Sequence, residues 1–176
     1  VELSDAEKAA LAKAAGGDLE DPKKAAEVGG SDGPWTAVLG ALGRSPRLLN
    51  FLLNNDAVVK AFMSRETSQR YCRSAGAYKG YLTNTKAPGG VTHAMNVFEK
   101  VLHGSSENPT IMFGSKLGGA ITNCPSVQAL VKDNASIQEI ATANPRMLGL
   151  MMDPALMKGL TANPTAMTAF GGIQST

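Results

Sequence analysis

The sequence predicts a mainly α fold of short capped helices, its C-terminal part a stack of roughly ten-residue helical repeats. Three observations predict it. Of 176 residues, 43% are hydrophobic but only 5% aromatic, with 19 Gly and 8 Met, so the chain can bury a core, and that core is built from small and flexible side chains. Leu48, Leu49, Leu52, Val58, Val59 and Phe62 fall at the three-and-four spacing of a buried helix face. From Cys124 onward a cap residue, mostly followed by Pro, recurs at intervals of 10, 10, 9 and 10 residues.

Taken in order, Ser4 and Glu7 make a capping box for a helix over 4–15, which Gly16-Gly17 ends. Asp21-Pro22 opens a second short helix through Val28, and GGSDGP at 29–34 reads as a linker. Residues 1–32 are expected to be an acidic helical N-terminal arm, with eight Asp and Glu against four Lys, whereas the rest is basic by 13 to 7. Residues 33–104 are expected to form a helical core. Trp35 begins WTAVLGALG, Ser45-Pro46 opens RLLNFLLNN, and Asn55-Asp56 opens the long run AVVKAFMSRETSQRYCRSAG. Gly, Pro, Asn and Thr then predict a long loop at 79–90, with a short strand at 80–83, before Thr92 caps a helix to about Leu102.

Residues 105–176 form the expected short-helix repeat region, with Asn108, Asn134, Asn144, Asp153 and Asn163 as helix N-caps. Asn or Asp there can accept hydrogen bonds from first-turn amides, and the Pro that often follows lacks only an N–H that would be unpaired anyway. The same Pro ends the preceding helix. Helices of about seven residues do not stand alone in water, so neighbouring units are expected to bury one apolar face each in a one-dimensional pile.

At Asn163-Pro-Thr-Ala-Met-Thr-Ala-Phe, and more loosely at Asn108-Pro-Thr-Ile-Met and over 144–160, the chain resembles the tandem short repeats of tail-fibre and other virion proteins of tailed bacteriophages. The resemblance implies a non-enzymatic virion structural protein, oligomeric and first of all trimeric. Its partners would be other copies of itself and other virion proteins, and it would be located in a virion assembled in the host cytoplasm. The chain departs from that pattern in using bulkier Leu, Ile and Phe, and it ends in GGIQST with no recognisable tip domain. The chain also resembles the Asn-Pro-started helices of chaperone-organising and ubiquilin-type proteins, which implies a Met-rich groove for client helices. Met147, Met151, Met152, Met157 and Met167 would line it, although methionines at helical spacing read first as core.

The basic stretch Arg65, Arg70, Arg73, Lys79 and Lys86, interleaved with Tyr71, Tyr78 and Tyr81, is the candidate partner-binding patch. Basic and aromatic side chains together can grip nucleic acid, but an acidic protein surface, including the 1–32 arm in cis or from a neighbour, is the preferred partner. His93 and His103 are ten residues apart and share no ligand spacing, and GSKLGG at 114–119 has the wrong order for a phosphate loop and reads as a turn. Catalytic, cofactor-binding and metal residues are therefore all expected to be absent. Cys72 and Cys124 read as buried free thiols rather than a bridge. No apolar run approaches the roughly 20 residues of a membrane helix, so no membrane insertion is expected, and a first residue of Val rather than Met is expected of a processed chain or part of a longer product.

Overall fold

The computed structural model describes residues 44–168. The expectations for the acidic arm, the linker, the Trp35 segment and residues 169–176 lie outside the described residues. Between 46 and 161 the chain is a succession of short helices: α1 (Pro46–Leu53), α2 (Asp56–Ser64), α3 (Glu66–Arg73), α4 (Ala75–Thr83), α5 (Val91–Leu102), α6 (Asn108–Gly114), α7 (Lys116–Thr122), α8 (Pro125–Val131), α9 (Asn134–Ala143), α10 (Pro145–Met151) and α11 (Pro154–Thr161). Residues 164–168 are also helical, and no strand occurs among the described residues. No described helix is long and apolar enough to cross a membrane.

Small hydroxyl and amide side chains start several of these helices. Ser45, Asn55, Ser74 and Ser115 accept hydrogen bonds from Leu48, Val58, Ala77 and Gly118 amides at the openings of α1, α2, α4 and α7, each satisfying a donor that the first turn leaves free. The GSKLGG stretch is thus a cap followed by a helix, not the expected turn, because Ser115 restarts the chain at Lys116. Likewise the expected continuous run after Asn55 is three helices. Arg65 (φ −63°, ψ 142°) and Ser74 (φ −110°, ψ 112°) adopt extended backbone and break it at single residues.

The expected loop at 79–90 and its strand at 80–83 are replaced by α4 running through Thr83, which leaves 84–90 as the connection. Glycine costs a helix about 1 kcal/mol per residue, but burial of Leu82 and packing of Tyr78 against two core clusters offset Gly76 and Gly80. Gly90, not Thr92, precedes α5, and Thr92 Oγ1 instead donates to Thr85 O across the connection at 2.9 Å.

Three apolar clusters hold the helices together. The first joins α1, α2 and α5 through Leu49, Leu52, Val58, Ala61 and Val101. The second joins α4, α5, α8 and α9 through Leu82, Val91, Met95, Leu130 and Ile140. The third sets Cys124, Val127 and Val131 against Met63, Cys72 and Tyr78. With 12 residues, α5 is long enough to enter the first cluster at one end and the second at the other.

The repeat units do not pile only on their neighbours in sequence. α11 packs on α6, α6 on α1, α7 on α2, and α8 on α3 and α4. Gly159 makes the α6–α11 approach possible: a Cβ there would lie 2.6 Å from both Phe113 Cδ2 and Pro109 O.

The expected caps divide by chemistry. Asp153 does cap α11, its Oδ1 accepting from Ala155 N at 2.8 Å. Asn108 is not a cap: it is the first residue of α6, after Glu107, and lies fully buried. Asn134 is likewise the first residue of α9, and Asp133 holds the cap position. Asn144 occupies the position before α10 and Asn163 that before the 164–168 helical residues, yet Asn144 makes no side-chain cap bond.

The amide groups of Asn108, Asn144 and Asn163 donate elsewhere. Asn108 Nδ2 donates to Val101 O (2.7 Å), Asn144 Nδ2 to Leu82 O (3.0 Å), and Asn163 Nδ2 to Gly159 O (2.7 Å). All three acceptors lie within the last turns of α5, α4 and α11, where carbonyls have no intrahelical partner. These asparagines serve the ends of helices, because a carboxamide can donate where a carboxylate cannot.

Candidate protein interface

All three tyrosines of the chain meet at the packing of α3 and α4. Tyr71 and Tyr81 lie 4.9 Å apart between ring centroids, Tyr78 and Tyr81 stack at 6.2 Å with planes 12° apart, and Tyr71 and Tyr78 are 6.2 Å apart. The Arg70 guanidinium caps this group, 5.0 Å over the Tyr71 ring, and donates to Tyr71 Oη at 3.2 Å. Cation–π contact and ring stacking thus form one ladder running from an exposed arginine inward. Burial and the neighbouring Tyr81 push the Tyr78 hydroxyl up to about 12, and burial followed by Tyr71 raises that of Tyr81.

The expected patch is only partly assembled. Arg70 and Arg73 are exposed in the last turn of α3, with Glu66 exposed in its first. Arg65 lies 6.0 Å over the Phe62 ring. Lys79 turns to α9 and pairs with Glu139 at 2.7 Å, and that hydrogen bond and charge raise its pKa. Lys86 is exposed in the connection after α4. Beside Lys79 a shallow cavity of about 220 Å³ is lined by Gly76, Leu130, Asp133 and Ser136 among others. The Ser136 hydroxyl donates to Asp133 Oδ2 at 2.7 Å and is the chief cause of a lowered Asp133 pKa.

Behind the ladder the two cysteines are joined. Cys72 Sγ and Cys124 Sγ form a disulfide with Cα atoms 4.9 Å apart, which corrects the expectation of free thiols. A separation of 52 residues hides such a pair from sequence reasoning. It becomes close only because α8 packs on both α3 and α4.

No group of three His, Cys, Asp or Glu side chains that could hold a metal ion occurs among the described residues. His103, at the end of α5, pairs instead with Asp153 at 2.6 Å, joining that end to the start of α11. Arg146 grips both carboxylate oxygens of Glu99, at 2.6 and 3.3 Å.

Of the methionines proposed for a groove, Met147 packs on the second core cluster, whereas Met152, the residue after α10, is 73% exposed, and Leu148 within α10 is half-exposed. No protein-family model, curated protein or solved structure matches the chain.

Proposed function

We propose that this protein is a non-enzymatic structural component acting through protein–protein assembly, and that the face of α3 and α4 is one of its contact surfaces. The carrying observation is the ladder of Arg70, Tyr71, Tyr81 and Tyr78 in a chain otherwise poor in aromatic residues. Tyrosine and arginine are the side chains most enriched where proteins bind, because each offers large contact area with a polar end and few degrees of freedom to lose. In the proposal the short Asn-Pro repeats make it a virion component of a tailed phage, in the tail or a tail fibre. Its partners are other copies of itself and other virion proteins.

The acidic residues 1–32 of another copy have the charge to meet Arg70 and Arg73. Nucleic acid is the second reading, favoured by the same ring stack. It is weakened because Glu66 shares the α3 surface and Lys79 is already neutralised by Glu139. A disulfide also accords with a mature location outside a reducing cytosol, virion surfaces included.

Light scattering of the purified full chain over a concentration series tests this. The expected outcome is a concentration-dependent oligomer that loosens with salt and with Arg70→Glu. A species that remains monomeric at every concentration and salt overturns the assembly reading. Association that needs added nucleic acid moves the assignment to the second reading.

A further inference from the structure

We infer that α3 is a redox-released element, seated on the body of the protein by the Cys72–Cys124 bond and freed when that bond is reduced. The inference rests on the interface reading above and concerns the control of that same surface.

The support comes from what α3 lacks. Its eight residues, ETSQRYCR, include no buried side chain. Among the described residues its sole contribution to the apolar clusters is Cys72 itself. Single extended residues, Arg65 and Ser74, bound it at both ends. A helix of this length is unstable in water without tertiary packing.

Its neighbours are anchored independently. α2 is held by buried Val58 and Ala61, and α4 by buried Leu82. α10, which also has no buried side chain, differs because Met147 and Leu150 pack on the second cluster and Arg146 clamps Glu99. For α3, among the described residues, the corresponding ties are the covalent bond, the Tyr71 ring contacts and the half-buried Ser68 and Gln69, which are polar and add little apolar packing.

The chemistry is ordinary thiol–disulfide exchange with a dithiol reductant. A thiolate of the reductant attacks Sγ of Cys72, the less buried of the two cysteines. The Sγ–Sγ bond breaks, and Cys124 leaves as a thiolate and takes up a proton. The second thiol of the reductant then displaces Cys72, which is protonated in turn, and the reductant departs as its own disulfide. Two electrons and two protons have passed to the protein. The new Cys124 thiol has an acceptor waiting, Ala120 O at 3.4 Å. What α3 loses is its tether, and with it go Arg70 and Tyr71, the outer half of the ladder.

Hydrogen–deuterium exchange on the dilute full chain, oxidised or reduced by a dithiol and blocked with iodoacetamide, tests the inference. Reduction is expected to bring exchange across 66–73 to within about tenfold of the unprotected rate, while α5, although faster because the reduced chain is globally less stable, stays protected well beyond that. Cys72→Ala under oxidising conditions should give the same pattern. Should that variant fail to fold, the reduced wild-type chain carries the test. Exchange in α3 that is unaltered by reduction overturns the inference, and so does residual protection in α3 equal to that in α5, because the two would then open together and the bond would be a general staple. Because exchange needs no partner, the two readings separate. Fast α3 exchange together with undiminished association would remove this face as the contact surface and leave its release standing.

Discussion

At the scale of single residues, the division between Asn and Asp is the feature that most changes how the repeat is understood. Asn108, Asn144 and Asn163 give their amide hydrogens to carbonyls in the last turns of α5, α4 and α11, whereas Asp153 accepts from the first turn of α11. Asn and Asp are near-equal as N-caps, so substitution distinguishes the two roles. Asn144→Asp should cost on the order of 3 kcal/mol or more, because it leaves a buried carboxylate facing the Leu82 carbonyl. Asp153→Asn should cost about 1 kcal/mol or less, since the cap survives and only a partly exposed pair with His103 weakens. Urea unfolding of the two variants gives both numbers, and equal losses would return Asn144 to a capping role. The spacing of these residues was legible in the sequence. Their direction of hydrogen bonding was not, because a carboxamide carries both donor and acceptor, and which one is used depends on the helix end that packs against it. The tyrosines permit a second check. Tyr78 should ionise at about 12, later than a free phenol at about 10. With the folded value raised, its contribution to stability is complete below about pH 10 and is lost as pH rises towards 12. Ultraviolet titration should therefore show Tyr78 ionising late, with Tyr81 also displaced upward, and three coincident normal titrations would contradict the burial of these rings.

At the scale of elements, the caps and breakers set helix lengths, and the approach of one helix to another sets which small residues are obligatory. Gly159 in α11 lies over Pro109 and Phe113 of α6, where even a methyl group would meet the Pro109 carbonyl oxygen at 2.6 Å. Gly159→Ala should therefore destabilise by about 1–3 kcal/mol despite the better helix propensity of alanine. Gly149→Ala, where no atom lies within 4 Å of the added group, should be neutral or slightly stabilising. Thermal melts of the two variants check the contrast, and equal effects would mean that α6 and α11 do not approach as described. The helical class and the openings at Ser45-Pro46 and Asn55-Asp56 could be read from sequence, because capping is local. The breaks at Arg65 and Ser74 could not, since no Gly or Pro marks them. Tyr71 and Tyr78 could be read only as members of one basic stretch, when they belong to two helices whose packing brings their rings together.

At the scale of the whole molecule, the helices before and after residue 104 share their cores instead of forming successive layers. α5 and α6 complete the cluster begun by α1 and α2, and α8 and α9 complete the one begun by α4. The ten-residue period predicts units that neighbour one another, and it carries no information about which distant unit each one meets; that choice follows from side-chain fit, as at Gly159, and from the disulfide. Closing a loop of 52 residues limits the unfolded chain, and a chain-entropy estimate puts the stabilisation at roughly 4 kcal/mol. Reduction should lower the urea midpoint accordingly, and an unchanged midpoint would mean the bond places no such restriction on the unfolded chain. The same bond also makes part of the chain a ring. Everything from Tyr-rich α4 through α7 lies between its two sulfurs, including the connection at 84–90, where Lys86 is exposed. A protease that cuts after Lys86 would produce two polypeptides that still travel as one mass on a non-reducing gel and part only when thiol is added. In an environment rich in proteases, a molecule of this design can be severed once at this connection and keep both pieces in one particle.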